Sequence, residues 1–264
     1  RRLQYVSATG GTPKDAVPSL TDGSVQDFAW LNNNEMIAIL NKGVETGVSR
    51  VNAETGATTE LIPMGKAVFF SMDLSLTGEM AFTAQTPTHP TEAYGWTAET
   101  GLERKTFHNP WMADIAFGKQ SAVTYKARDG LEVEGILIEP INRPRGKKVP
   151  LILTVHGGPE SHYRNGWLTY YSVPGQMAAA RGFAVFYPNY RGSTGRGVEF
   201  SKLSQGDPAG REFDDVVDAI DHLAKTGLIN KNKVGITGGS YGGYASAWGA
   251  TYYSNRFAAS VMFV

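Results

Sequence analysis

The chain has 264 residues, of which 41% are hydrophobic and 19% charged, a composition that excludes a disordered, collagen-like or coiled-coil polypeptide and allows a sizeable core. Lys+Arg and Asp+Glu both total 25, so no net field draws in a polyanion, and a nucleic-acid partner is not expected. The count of zero cysteines removes disulfides, thiolate metal sites and a cysteine nucleophile, while leaving both cytoplasmic and periplasmic or secreted locations open.

No apolar run reaches about 18 residues, the length a spanning helix needs. The segment Arg1-Arg2-Leu3-Gln4-Tyr5-Val6 carries charge without a following signal-peptide core. The chain is therefore expected neither to span a membrane nor to display an export signal, although a processed signal would leave no trace.

From residue 25 to about 107, short apolar segments alternate with Gly, Asn, Thr and Pro, and no helical stripe persists, which predicts an all-β region. A faint repeat runs through it. Asp27 to Leu31 followed by Glu35 to Ile39 is echoed by Ser71 to Leu74 followed by Glu79 to Phe82, at an offset of 44. Val51-Asn52-Ala53-Glu54-Thr55-Gly56 is echoed by Trp96-Thr97-Ala98-Glu99-Thr100-Gly101, at an offset of 45, with Glu-Thr-Gly as a hairpin turn. That period suits four-stranded propeller blades, with some other antiparallel sheet as the alternative; a closed ring needs at least about four blades.

Val123 to Ile138 reads as a hairpin turning at Asp129-Gly130, and a new domain is expected to begin just before it, giving domains 1–115 and 116–264. Pro140 to Pro150 suits an exposed connection. Beyond it lie three near-continuous apolar strands, Leu151 to Val155, Phe183 to Tyr187 and Val234 to Thr237, which imply a sheet covered on both faces. Between the last two, Phe213, Val216, Val217, Ile220, Leu223 and Ala224 recur at helical steps and Gly227 supplies a stop, predicting a crossover helix between parallel strands. Ala258 to Val264 reads as one more strand.

Gly238-Gly239-Ser240-Tyr241-Gly242 fits Gly-x-Ser-x-Gly and lies between the strand ending near Thr237 and a helix rich in small residues. The flanking glycines allow a turn too tight for side chains, which forces Ser240 onto a strained backbone with its hydroxyl exposed. The alternative is a tight structural turn with an inert serine. The N-terminus of the following helix directs amide hydrogens to the site, so the backbone N–H of Tyr241 is the nearest candidate oxyanion donor. His156-Gly157-Gly158-Pro159 follows an earlier strand, and its Gly158 N–H is the second candidate.

His156 precedes the serine, whereas a triad histidine of this fold follows it, so His156 is read as bracing a loop or bordering the substrate pocket. Arg191 is read as bracing loops through Asp207, Glu212 or Asp214, with a substrate carboxylate as the alternative. His222 beside Asp221 is assigned to the surface, and His89, His108 and His162 have no metal-ligand spacing, so neither metal nor cofactor is expected. Asn189 to Gly197 is glycine-rich but lacks the Gly-Lys-Ser/Thr ending of a phosphate loop.

Taken together, Val155-His156-Gly157-Gly158-Pro159, Asn189-Tyr190-Arg191-Gly192-Ser193, Asp215 and Gly239-Ser240-Tyr241-Gly242-Gly243-Tyr244 resemble the prolyl oligopeptidase family of serine peptidases, especially its acylaminoacyl-peptidase and dipeptidyl-peptidase-like branch. The resemblance is strong over residues 120 to 264 and rests only on the weak repeat over residues 25 to 107. It implies an α/β-hydrolase fold, incomplete at its C-terminal strands, preceded by incomplete β-propeller blades. It further implies Ser240 as nucleophile, Tyr241 and Gly158 as oxyanion donors, and Tyr241 and Trp248 as neighbours of the substrate pocket. Some relatives carry a tyrosine at the position of His156, and a histidine there resembles the acylaminoacyl branch.

The implied activity is hydrolysis of short peptides. The family acid and histidine follow the nucleophile by roughly 80 and 110 residues, by resemblance, and only 24 residues follow Ser240 here. Both partners are thus expected in a remaining part of the same protein, and this polypeptide alone is expected to be inactive. An α/β-hydrolase esterase and a non-catalytic peptide-binding relative stay open as alternatives, as do substrate preference and oligomerisation.

Overall fold

The computed structural model describes residues 2–264. The chain forms two compact units: the first runs to Asp114 and includes Thr194–Val198, and the second comprises Ile115–Ser193 and Glu199–Val264.

In the first unit a small ladder pairs β1 (Gln4–Tyr5) with β2 (Lys14–Asp15). Two four-stranded antiparallel sheets follow. One comprises β3 (Gly23–Trp30), β4 (Glu35–Lys42), β5 (Glu45–Asn52) and β6 (Thr58–Ile62). The other comprises β7 (Val68–Leu74), β8 (Met80–Thr86), β9 (His89–Thr97) and β10 (Gly101–Arg104). Neither sheet closes into a ring.

The repeat seen in the sequence has a structural counterpart. The first strand of each sheet breaks register once, between Val25 and Asp27 in β3 and between Phe69 and Ser71 in β7. The Glu-Thr-Gly turns also recur, with Gly56 at φ 71 and Gly101 at φ 70, where a side chain would be strained. Strand β4 is apolar at consecutive positions because both of its faces are covered. Ile37 and Ile39 join one cluster with Val48, Phe69 and Phe82, whereas Met36, Ala38 and Leu40 join another with Ala16 and Val17.

The second unit is built on a mixed six-stranded sheet of order β11-β12-β14-β13-β15-β16. Its strands are β11 (Gln120–Lys126), β12 (Glu132–Ile138), β13 (Val149–Val155), β14 (Ala184–Asn189), β15 (Ile229–Gly239) and β16 (Ala259–Phe263). The β11–β12 hairpin turns at Asp129-Gly130 as expected, with the Gly130 N–H donating to Ala127 O at 2.8 Å. From β14 to β16 the neighbouring strands run parallel. Parallel neighbours require crossovers. These are α1 (Gly175–Ala180), α3 (Arg211–Lys225) and α4 (Tyr241–Thr251), and the short helix α2 (Gly197–Ser201) lies before α3.

Helix α3 is the crossover expected from the sequence. Phe213, Val216, Ile220 and Leu223 sit in one core cluster with Leu151, Leu153 and Val155 of β13 and Ile236 of β15. Helix α4 approaches the sheet closely because its buried face is made of Gly242, Gly243, Ala245, Ser246 and Gly249. A Cβ at Gly242 would lie 2.0 Å from Val155 O, so only glycine fits there. Among the described residues, no helix is long and apolar enough to cross a membrane.

Candidate active site

The parallel pairing of Val155 with Gly238 brings the ends of β13 and β15 side by side, so the loops leaving them meet at one edge of the sheet. In open α/β sheets this carboxyl edge is where ligands bind. Ser240 stands between β15 and α4 at φ 55 and ψ −122, a region that residues with a Cβ rarely adopt. The turn is held by the Ser240 N–H donating to Phe263 O at 3.1 Å and by the Tyr244 N–H donating to Ser240 O at 3.0 Å. The Ser240 residue is exposed, and its hydroxyl makes no hydrogen bond to the described residues.

The loop after β13 lies against this serine. A Cβ on Gly157 would come within 3.2 Å of Ser240 Cβ and 3.6 Å of its Oγ. Gly158, next in the chain, has φ +128. Tyr241 opens α4, where the first amide hydrogens have no intrahelical acceptor. The structure therefore gathers Ser240, Tyr241 and the Gly157-Gly158 loop at one edge.

His156 is occupied elsewhere. Its Nδ1 lies 2.9 Å from Gly157 O and its Nε2 lies 2.8 Å from Ser193 Oγ, while the ring stacks on Tyr190 with centroids 4.4 Å apart. Burial pushes the imidazole down to about 4, so it is neutral at pH 7. The ring thereby ties the loop after β13 to the Tyr190 and Ser193 segment.

Arg191 is buried, but its partners differ from the three acids expected. Its Nε and Nη2 donate to Asp215 at 2.8 and 2.6 Å, and its Nη1 and Nη2 donate to Asp129 at 2.7 and 3.1 Å. The Arg191 guanidinium holds the Asp129 carboxyl at about 2. Asp214, one of the expected partners, instead pairs with Arg128 at 2.7 Å and accepts the Tyr253 hydroxyl at 2.6 Å. Asp207 pairs with Arg211, and Glu212 accepts the hydroxyl of Tyr241.

Trp248 lies two turns along α4 from the serine, about 11–12 Å of helix rise. It packs against the core cluster and stacks on Tyr252 at 5.3 Å. The Tyr241 ring contacts Phe213 and Tyr244 at 5.7 and 5.6 Å. His222, assigned to the surface, is half-buried, with its ring 5.9 Å from that of Tyr125. Among the described residues, no cluster of three His, Cys, Asp or Glu side chains could hold a metal ion.

A mixed sheet whose parallel strands are joined by crossover helices and a serine held at positive φ between strand and helix define an α/β-hydrolase-like domain. Residues 170–264 match the model of the prolyl oligopeptidase family. The chain is related to acylaminoacyl-peptidase and dipeptidyl-peptidase-like members of that family.

An uncharacterized peptidase, YuxL of Bacillus subtilis, is 31% identical over 250 residues, covering 92% of this chain and 36% of the relative. Dipeptidyl aminopeptidase BIII of Pseudoxanthomonas mexicana is 43% identical over 113 residues, covering 43% of this chain and 16% of that enzyme. The crystal structure of Pyrococcus horikoshii acylaminoacyl peptidase superposes with a TM-score of 0.78 at 25% identity, covering 94% of this chain and 38% of the other. The chain thus spans little more than a third of the relatives it matches most fully.

Proposed function

We propose that Ser240 is the nucleophile of a serine peptidase that hydrolyses short peptides through an acyl-enzyme. The observation that carries this reading is the Ser240 backbone at φ 55, which lifts an exposed hydroxyl above the carboxyl edge of a parallel sheet. In the reaction, Oγ bonds to the scissile carbonyl carbon and its proton passes to a base. The tetrahedral oxyanion is received by the N–H groups of Tyr241 and Gly158. The C–N bond then breaks as the leaving amine takes a proton, and water releases the acyl group.

The general base is not assigned to His156, which is neutral, buried and held by Ser193 and Tyr190. No Asp, Glu or His follows Ser240 in this chain, and the fold class places acid and histidine after the nucleophile. We assign both to polypeptide outside these 264 residues. Residues 1–115 are read as propeller blades, supported by the repeated four-strand sheets and their matching register breaks. Residues 116–264 are read as the nucleophile-bearing half of the hydrolase domain.

Two measurements test the reading. In the full-length protein, a fluorophosphonate probe should label the native serine and lose its target in Ser240→Ala, together with peptide hydrolysis. The purified 264-residue chain should show negligible amide hydrolysis. Persistent labelling of Ser240→Ala, or turnover by the short chain matching an intact serine peptidase, would overturn it.

A further inference from the structure

Glu212 is the second residue of α3 and is 1% exposed. Its Oε1 accepts the Ala209 N–H at 2.9 Å and the hydroxyl of Tyr241. Its Oε2 is buried and has no hydrogen-bond partner among the described residues. A buried carboxyl with one unsatisfied oxygen is a costly way to pack a helix start. The feature that sets this carboxyl apart is its partner, the residue immediately after the nucleophile.

Tyr241 contributes the Ser240–Tyr241 peptide, whose N–H has no acceptor inside α4. The carbonyl of that peptide accepts the Tyr244 N–H at 3.0 Å, so the helix ladder holds only one end of it, while the strained φ of Ser240 favours relaxation of the turn. The Tyr241 ring resists it. The ring is wedged between Phe213 and Tyr244, at 5.7 and 5.6 Å, and its far end is tied to Glu212. Oxyanion stabilisation depends on donors that need no reorganisation when charge develops.

We propose that Glu212 is a positioning residue that, through the Tyr241 hydroxyl, fixes the backbone N–H receiving the oxyanion. The inference rests on Ser240 being the nucleophile and adds a residue from the crossover helix to its machinery. It touches no substrate atom.

The test uses the full-length protein, with p-nitrophenyl butyrate as substrate and fluorophosphonate labelling as a second readout. Tyr241→Phe keeps the wedged ring and removes only the hydroxyl; Glu212→Ala removes the acceptor; Glu212→Gln retains one. Tyr241→Phe and Glu212→Ala should each lower kcat about tenfold, with KM changed less than about twofold, since a lost oxyanion donor costs about 100-fold or more and a loosened one costs less. The double variant should be no slower than the slower single variant, and Glu212→Gln should recover most of the loss.

Unchanged kcat in Tyr241→Phe, or additive losses in the double variant, would overturn the proposal. Tyr241→Phe decides the matter even if Glu212→Ala fails to fold. Ser240→Ala separates the two levels: full activity there removes the nucleophile assignment itself. Loss of activity there beside an unaffected Tyr241→Phe removes only the role of Glu212.

Discussion

At the scale of single residues, the strain at Ser240 and the exposure of its hydroxyl share one cause. A Cβ at φ 55 and ψ −122 costs about 1–3 kcal/mol, and the same backbone holds the hydroxyl clear of its neighbours. Replacing Ser240 by glycine removes that strain but adds about 0.5–1 kcal/mol of backbone entropy in the unfolded chain. Ser240→Gly should therefore be more stable than Ser240→Ala by about 1 kcal/mol in urea unfolding, while both lose fluorophosphonate labelling. Equal stability of the two would mean the turn is relaxed. The turn was legible because Gly-x-Ser-x-Gly leaves few alternatives between a strand and a helix. The acids around Arg191 were not. On a helix each residue turns about 100° from the last, so Asp214 joins Arg128 while its neighbour Asp215 faces inward to Arg191. The second partner, Asp129, arrives from a hairpin turn 62 residues away, beyond the reach of local pattern.

At the scale of elements, the two small sheets were legible through their period, and the bulges at Val25/Asp27 and Phe69/Ser71 show why the echo is faint. The backbone repeats while few of the side chains do. One clamp left no sequence signal. Glu92 on β9 has a fully buried carboxylate that accepts from Arg104 at 2.9 Å, from the His108 backbone and ring at 3.0 and 2.8 Å, and from the Thr106 hydroxyl. These donors lie at the end of β10 and in the segment after it, so one acid ties both to β9. Burial pushes the Glu92 carboxyl up, but the hydrogen bonds from Thr106, His108 and Arg104 outweigh it and hold it at about 2, below the ordinary 4.5. A depressed carboxyl stabilises the fold fully above the unfolded value and loses that contribution as pH falls through the folded one. The thermal midpoint of the first unit should therefore drop between pH 4.5 and about 2. Glu92→Gln should be less stable at neutral pH and should flatten that part of the acid profile. An unchanged profile in Glu92→Gln would assign the acid sensitivity to other carboxyls.

At the scale of the whole molecule, the six-stranded sheet is unevenly covered. Leu151, Leu153 and Ile236 lie in the core cluster with α3, whereas alternation along the same strands turns Ile152, Gly235 and Thr237 to the opposite face. There they line an open concavity of about 850 Å³ with Tyr171, Met177 and Val261. The near-continuous apolar strands predicted a sheet covered on both faces; on the second face Thr154 of β13 is buried, whereas Ile152, Gly235 and Thr237 are only half-buried. Strand β16 is also the edge of the sheet, with Val261 62% and Met262 55% exposed. Open apolar faces and unpaired strand edges drive association. The purified 264-residue chain should therefore bind 8-anilinonaphthalene-1-sulfonate and sediment as a concentration-dependent mixture of species. Val261→Lys places a charge on the open face and should reduce both effects, whereas a lysine at exposed Leu76, on the first unit, should leave them unchanged. A monomer that binds no dye would show that this face is sealed in solution, and association insensitive to Val261→Lys would move the sticky surface elsewhere.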